Sequence, residues 1–183
     1  MTNPVFHLPG ALEIYAHVAA GETLAVKRFQ ELLLHPDAYQ RTHLPGHITG
    51  SAFIVSPDLE KTLLVHHAKL NRWLQPGGHC DGDQDVTRVA LREGEEETGL
   101  HTLRLSTSAI FDLDIHPIPQ RKDFPAHDHY DVRFLVYGDP SEPIVVSEES
   151  FDVRWVALSQ LEDYSKEESV LRMRTKVLHS KIS

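Results

Sequence analysis

The stretch that most constrains the fold is 92–100, which brings several acids close together: Arg-Glu-Gly-Glu-Glu-Glu-Thr-Gly-Leu. Glu93, Glu96 and Glu97 are spaced i, i+3 and i+4, so they share one face of a helix with about 3.6 residues per turn. The same face continues toward the N-terminus with apolar residues, namely Val86, Val89 and Ala90. We therefore predict a helix over 86–98 that lies at the edge of a buried layer.

Three carboxylates on one helical face repel one another, and Arg92 is the only cation close to them in the sequence. A hard divalent cation would relieve this repulsion, because Mg²⁺ takes oxygen ligands and keeps waters for substrate phosphates. Acidic helix ends are also common on solvated surfaces, where they bind nothing. The acids by themselves are compatible with both situations.

The residues around these acids follow a fixed spacing. Going forward along the chain, Gly78 is followed after five residues by Gln84, and seven further residues lead to Arg92-Glu93. This pattern resembles the Nudix box, G-x5-E-x7-R-E-U-x-E-E-x-G-U, in which U is aliphatic. Seven of its nine specified positions match: Gly78, Arg92, Glu93, Glu96, Glu97, Gly99 and Leu100. Fixed positions spread over 78–100 rarely coincide by chance, so the chain is identified as a member of the Nudix hydrolase superfamily.

Two positions of the box depart from the family pattern. Gln84 stands where the family has a glutamate that organises the loop, so the loop electrostatics are expected to weaken more than catalysis. Gly94 stands where the family has an aliphatic residue, and glycine costs about 1 kcal/mol of helix propensity. It either removes a packing side chain or makes room for a close backbone approach. These departures motivate an alternative function, a catalytically weak nucleotide sensor with the same fold.

The resemblance implies an α/β (α+β) fold, a Nudix-type α/β/α sandwich with a mixed β-sheet. It also implies hydrolysis of a nucleoside diphosphate linked to another moiety, or of a nucleoside triphosphate. In the family, glutamates at the positions of Glu93, Glu96 and Glu97 hold Mg²⁺ or Mn²⁺, with help from a glycine carbonyl at the position of Gly77. The substrate itself is not identified, because fold and catalytic box do not set the specificity pocket.

The same resemblance assigns roles to neighbouring residues. Arg92 would orient the glutamates through a charge-assisted pair, and Glu96 at i+4 is its expected partner. A divalent cation lowers the pKa of a bound water, and a carboxylate must then accept the proton. Glu96 is the first candidate for this base. Glu149 or its neighbour Glu148 is the second, since family members often supply a base from a later loop.

The chain has 13 histidines, and two of them lie in the segment His-Asp-His-Tyr-Asp at 127–131. On an extended strand His127, His129 and Asp131 would share one side, and such a set can bind Zn²⁺. A zinc hydrolase is therefore a distant alternative. We favour His127 and His129 as substrate-pocket residues together with Arg121, although ordinary polar strand positions are also compatible.

Helical spacing of apolar residues over 1–45, ended by Pro45-Gly46, predicts an N-terminal helical extension packed on a Nudix domain over 46–183. The extension lies outside the usual Nudix core and either caps the sheet or forms a homodimer surface. Strands are predicted over 48–55, 62–67, 103–115, 130–137 and 153–156, and a closing helix over 167–178.

Charge and cysteine content exclude several classes of function. Eighteen Lys and Arg against 27 Asp and Glu give a net charge of −9, which argues against binding a nucleic-acid polymer or an anionic membrane. The single cysteine, Cys80, cannot form an internal disulfide, so a reducing compartment is expected. The N-terminus lacks a signal-peptide pattern, and no apolar run approaches the ~20 residues of a membrane span. We expect a cytoplasmic protein that acts on a small nucleotide-type substrate.

Overall fold

The computed structural model describes residues 6–121 and 124–180. Its helices are α1 (Leu8–Val18), α2 (Thr23–Leu32), α3 (Val86–Thr98), α4 (Leu161–Tyr164) and α5 (Glu168–Ser180). Its strands are β1 (Gly46–Val55), β2 (Lys61–His67), β3 (Arg72–Leu74), β4 (Gly77–His79), β5 (Arg104–Leu105), β6 (Asp112–Ile118), β7 (His127–Tyr137) and β8 (Ser150–Ala157). No helix in these described ranges has the length and apolar character required to cross a bilayer.

The strands form one mixed sheet. Its central order is β3-β2-β1-β7-β5, and β4, β8 and β6 pair with β1, β2 and β7 respectively. β1 and β7 run parallel over ten residue pairs, whereas the other pairings are antiparallel. All ten residues of β1 are buried, as expected for a central strand covered on both faces.

Side chains on the two faces of β1 enter two different hydrophobic clusters. Ile48, Ala52 and Ile54 pack with buried residues of α1, α2 and α3 on one face. Phe53 and Val55 pack with residues of α5 on the other face. Because a sheet with two apolar faces needs helices on both, this layering gives the α/β/α sandwich and confirms the predicted fold class.

The N-terminal helices share the core of the sheet. Leu12 of α1 and Phe29 of α2 are fully buried, in the same hydrophobic cluster as Phe134 of β7. Tyr15 and Lys176 join α1 to α5, since the Lys176 ammonium donates to the Tyr15 hydroxyl oxygen at 2.8 Å. Residues 8–32 therefore pack on the sheet and also contact the helix on its opposite side.

Helix α3 has the bounds that the sequence predicts, 86–98. The Asp85 carboxylate caps its first turn by accepting from the Arg88 N–H at 3.2 Å. Gly99 ends the helix with φ of +74°, a left-handed conformation that favours glycine. The local sequence therefore specifies both ends of the helix.

The predicted strand over 103–115 is wrong. The structure divides it into β5 and β6, because the polar residues between them form local hydrogen bonds, such as Ala109 N–H to the Thr107 hydroxyl at 3.1 Å. β6 also continues through Pro117, beyond residue 115 where the predicted strand ends. A proline fits there because β6 lies beyond β7 at an edge of the described sheet.

Candidate active site

Two glycines of β4 bring the loop before α3 close to its acids. β4 pairs with β1 so that Gly77 is opposite Ser51. A Cβ atom at Gly77 would overlap the Ser51 side chain, and one at Gly78 would overlap the Glu93 carboxylate. The Gly77 N–H donates to Glu97 Oε1 at 3.0 Å. Glycine is therefore needed at both positions for the close approach of loop and helix.

The three acids of α3 differ in their exposure. The Glu93 side chain is 17% exposed and lies against β4, as does Glu97 one helical turn later. Glu96 is 62% exposed and points toward solvent. Glu93 and Glu97 thus form the inner pair of the predicted acidic face, and Glu96 borders it.

Burial first of all, and then the negative charges of Glu93, Glu149 and Glu96, raise the pKa of Glu97 to about 8 against the opposing effect of the Gly77 N–H. Burial also raises the pKa of Glu93, although Arg92 opposes the shift. The charge of these carboxylates is only partly balanced by Arg92. This donor set fits a hard divalent cation.

Arg92 forms the predicted i,i+4 ion pair with Glu96, with 4.0 Å between its Nε and Glu96 Oε1. Its closer contacts are with the loop side of the helix, because Nη2 donates to Glu93 Oε1 at 2.7 Å and to the His79 carbonyl at 2.9 Å. The bond to the His79 carbonyl turns the guanidinium toward β4, where Glu93 lies. Arg92 therefore orients Glu93 most closely and joins it to the backbone of the loop.

Glu149 approaches the same acids from the segment before β8. Its carbonyl accepts from the Ala68 N–H at 2.9 Å, and its carboxylate lies 3.8 Å from Lys69 Nζ. Its negative charge contributes to the raised pKa values of both Glu93 and Glu97. We call Glu93, Glu96, Glu97 and Glu149 the acid cluster.

Arg41 is a basic residue near the site that the sequence reasoning missed. Its side chain forms a bidentate ion pair with Asp81, and its pKa is raised by that pair and by the charges of Glu93 and Glu149. The residues before β1 had been predicted only as a helical extension. Nothing in the local pattern around Arg41 signals its proximity to α3, because a tertiary contact creates it.

His127 and His129 belong to a larger group of imidazoles. Cross-strand register places His47 of β1 and His116 of β6 opposite His129 of β7, and His79 of β4 lies beside them. Neighbouring ring centroids are separated by 5.0–5.5 Å. We call these five residues the histidine cluster. Burial lowers the pKa values of His47, His79 and His129, and nearby positive groups lower them further.

Asp131 lies on the same side of β7 as the two predicted histidines, but it is not positioned as a metal ligand with them. Its carboxylate accepts from Thr49 Oγ1 at 3.0 Å, Ser51 Oγ at 2.7 Å and Arg133 Nε at 2.7 Å. These donors occupy the oxygens that a zinc ion would need. Asp131 therefore lies outside the group of potential metal-ligand atoms within 4.8 Å of one another, which consists of ring nitrogens of His47, His127 and His129.

Arg121 lies at the end of the β6–β7 hairpin. It is exposed, and its N–H donates to the Phe124 carbonyl at 2.9 Å. The Phe124 ring lies 5.0 Å from the ring of His127. Arg121 is thus connected to the histidine end of β7 through Phe124.

Gly94 is explained by packing. A Cβ atom there would lie 2.9 Å from Leu103 Cδ1 and 3.6 Å from Ala52 Cβ. Glycine at this position of the box leaves room for close contact between α3 and β1. Of the two roles predicted for Gly94, this is the close backbone approach. Gln84, the other departure, is exposed.

Comparison with known proteins places this site in a family. Two curated relatives are a probable DHNTP pyrophosphohydrolase of Lactococcus lactis subsp. cremoris and nucleoside diphosphate-linked moiety X motif 6 of Xenopus laevis. The first is 26% identical over 95 residues, which cover 52% of this chain and 56% of the relative. The second is 34% identical over 80 residues, which cover 40% and 37%. The chain thus spans about half or less of the length of these relatives.

Among solved structures, the MutT protein from Methanosarcina mazei superposes with a TM-score of 0.59 at 20% identity, covering 76% of this chain and 97% of that one. This similarity establishes the fold alone. The family model for the NUDIX domain matches residues 47–175, which include β4, α3 and all four members of the acid cluster. The chain therefore belongs to the NUDIX domain family.

Proposed function

We propose that this chain is a metal-dependent hydrolase that cleaves a diphosphate bond in a nucleoside diphosphate linked to another moiety, or in a nucleoside triphosphate. The main support is the acid cluster, in which Glu93 and Glu97 lie together against a glycine loop with raised pKa values. The two curated relatives are named as a probable DHNTP pyrophosphohydrolase and as nucleoside diphosphate-linked moiety X motif 6, and both names agree with this substrate class.

The proposed cation, Mg²⁺ or Mn²⁺, would be held by Glu93, Glu96 and Glu97 with the Gly77 carbonyl as a further ligand. When bound, such an ion neutralises negative charge on a diphosphate and acidifies a bound water. The Gly77 N–H fixes one oxygen of Glu97 and leaves the other free. Arg92 holds Glu93 in place through the bond to the His79 carbonyl, so it acts as a positioning residue.

Two exposed acids are candidates for the base that removes the proton of the attacking water. Glu96 is 62% exposed on α3, and Glu149 is 65% exposed on the loop before β8. Both can reach solvent while remaining close enough to influence the pKa of Glu97. Glu96 remains our first candidate and Glu149 the second.

Substrate binding is assigned to Arg121, His127 and His129. Arg121 is exposed at the end of the β6–β7 hairpin and supplies a guanidinium that can bind a phosphate oxygen in a bidentate manner. His127 and His129 line the sheet beside the glycine loop, and their cluster is linked to it through His79.

The decisive experiment is a hydrolysis screen of nucleoside triphosphates, nucleotide sugars and dinucleotides with Mg²⁺ and Mn²⁺, in which anion-exchange chromatography detects the nucleoside monophosphate product, using the full chain and the variant Glu97→Gln. We expect kcat to fall by more than about 100-fold, because even outer-shell partners of a metal contribute up to about 100-fold. Glu95→Gln is the matched control, since Glu95 pairs with His101 at 2.7 Å on the exposed side of the same helix.

Undiminished turnover in Glu97→Gln, with the control also active, would refute the assignment. Nucleotide binding in a thermal-shift assay without metal-dependent product would instead favour the alternative of a nucleotide sensor. Far-UV circular dichroism of both variants checks that the fold is retained.

A further inference from the structure

Three rings of the histidine cluster converge on one point. One ring nitrogen from each of His47, His127 and His129 lies within 4.8 Å of the other two. The ring centroid of His47 is 5.0 Å from that of each of the other two, and those two are 5.1 Å apart. The residues come from β1 and β7, whose parallel register fixes their separation.

Backbone carbonyls determine which nitrogens can act as ligands. His127 Nδ1 is 2.9 Å from the Pro125 carbonyl, and His47 Nδ1 is 3.3 Å from the His43 carbonyl. Since a carbonyl oxygen only accepts, each Nδ1 carries the proton and each Nε2 presents a lone pair. Metal-binding histidines commonly have this arrangement, with the distal N–H bound to a carbonyl.

His47 is fully buried, and within residues 6–121 and 124–180 its Nε2 has no hydrogen-bond partner. An unpaired buried polar atom costs roughly 1–3 kcal/mol, so such atoms usually have a ligand or a water. Ring nitrogens of His127 and His129 lie within 4.8 Å of a ring nitrogen of His47. This orphaned nitrogen is an independent indication that something binds there.

The spacing of the other two nitrogens matches a tetrahedral ion. His127 Nε2 and His129 Nε2 are 3.3 Å apart. Two imidazole nitrogens at about 2.0–2.1 Å from a tetrahedral zinc ion are separated by about 3.3–3.4 Å. The two rings therefore already have the separation of a shared ion.

We propose that His47, His127 and His129 bind a borderline divalent transition metal of the Zn²⁺ class, at a site separate from the acid cluster. Neutral imidazoles select such ions, whereas carboxylates and water select Mg²⁺. Three protein ligands leave a coordination position open. His79 and His116 contact the ring of His129 beside this site.

The two metal sites are physically adjacent. Arg92 donates to the Glu93 carboxylate and to the backbone carbonyl of His79, whose ring contacts His47 and His129. One guanidinium thus lies between a site for a hard ion and a site for a softer one. The inference goes beyond the proposed hydrolysis, because it holds whether or not the acid cluster is catalytic.

Metal titration of the full chain tests this proposal. The protein is purified without a histidine tag, stripped with chelator and kept in excess Mg²⁺ so that the carboxylates are saturated. We expect Zn²⁺ to bind with a stoichiometry of one by calorimetry, and Co²⁺ to give the visible absorption bands of a tetrahedral nitrogen site. His129→Gln should weaken binding by more than about 100-fold.

His66→Gln is the matched control, because His66 bonds to Asn71 at 3.0 Å and stacks on Trp73, outside the cluster. His47→Gln gives the same expected loss as His129→Gln, and circular dichroism shows whether that buried change is tolerated. His129 is less buried, so it decides the outcome if His47→Gln fails to fold.

A wild-type protein that binds no Zn²⁺, or a His129→Gln variant that binds it as tightly as the wild type, would overturn the proposal. Glu97→Gln separates the two sites. Zn²⁺ binding that is lost in this variant but kept in His129→Gln would place the ion on the carboxylates and refute the histidine site.

Discussion

The acid cluster and the histidine cluster lie side by side but are built in opposite ways. Three of the four acids come from a single helix, α3, and the loop that they contact ends only a few residues earlier. The histidines come from four strands, β1, β4, β6 and β7, and span residues 47–129. Local helical periodicity creates the first cluster, whereas strand register creates the second.

The two clusters also differ in charge balance. The acids repel one another, and the pKa of Glu97 is raised to about 8. Beneath the histidines, the buried guanidinium of Arg133 is surrounded by carboxylates, at 2.7 Å from Asp131, 3.1 Å from Asp114 and 3.3 Å from Asp112. The acid cluster holds carboxylates that are only partly balanced by Arg92, which suits a cation, whereas the carboxylates next to the histidine cluster are already paired with Arg133.

The largest effect is expected from breaking the charge network under the histidines. Asp131→Ala removes the acceptor of Thr49, Ser51 and Arg133, which leaves part of a buried guanidinium unpaired. We expect the free energy of unfolding to fall by about 3–5 kcal/mol, measured by urea denaturation.

Asp152→Ala serves as the control for that variant. Its carboxylate pairs with Arg154 at an exposed position, so its removal should cost less than about 1 kcal/mol. If the two variants lost the same free energy of unfolding, the buried hydrogen bonds and ion pair of Asp131 would contribute no more stability than the Asp152–Arg154 pair.

A smaller effect on the free energy of unfolding is expected from the raised pKa of Glu97 in the acid cluster. Because burial raises the folded-state pKa of Glu97 from 4.5 to about 8, the folded protein binds more protons than the unfolded chain between these values. The free energy of unfolding should therefore fall as pH rises through this range, by at most about 1.4 kcal/mol per pH unit from this group.

Glu97→Gln removes this contribution, so its stability relative to the wild type should increase from pH 5 to pH 8 without divalent cations. Urea denaturation of both proteins across this range measures the difference. Saturating Mg²⁺ should abolish it, because the ion stabilises the ionised carboxylate. A difference that does not change with pH would contradict the raised pKa.

The smallest effect concerns the contact of α3 with the sheet. Gly94→Ala gains about 1 kcal/mol of helix propensity but brings a methyl group to 2.9 Å from Leu103 Cδ1, at the end of a flexible side chain. We expect the stability to change by less than about 1 kcal/mol. Gly94→Leu should instead destabilise by about 1–3 kcal/mol through overpacking, and thermal unfolding distinguishes the two. A stable Gly94→Leu variant would show that the helix is not closely packed there.

Much of the acid cluster was predictable from the sequence. The spacing of Glu93, Glu96 and Glu97 and the glycine at position 99 predicted a helix over 86–98, and the structure has that helix. The i+4 rule predicted the ion pair of Arg92 with Glu96, but not its closer bonds to Glu93 and to the His79 carbonyl, because that carbonyl belongs to the loop and not to the helix. Arg41 was missed for the same reason, since its neighbours are distant in sequence.

The histidine cluster shows the limit of pattern reasoning. The alternation of β7 correctly placed His127 and His129 on one side, but it suggested Asp131 as their third partner. Thr49 and Ser51 of β1 and Arg133 of β7 itself donate hydrogen bonds to that aspartate, and the ring nitrogen close to those of His127 and His129 comes instead from His47, 80 residues before His127. The pairing of β1 with β7 brings His47 next to His129. No local pattern in the sequence indicates which residues of two strands will lie opposite each other.

The sequence by itself determined helix α3, its caps, its acidic face and the family, because these depend on side chains within about 20 residues of one another. Only the tertiary structure decided which acids are buried, which partner Arg92 takes and which imidazoles converge. The physical reason is that helical periodicity and capping act over a few residues. Burial, desolvation and cross-strand register depend on segments that meet only after the chain has folded.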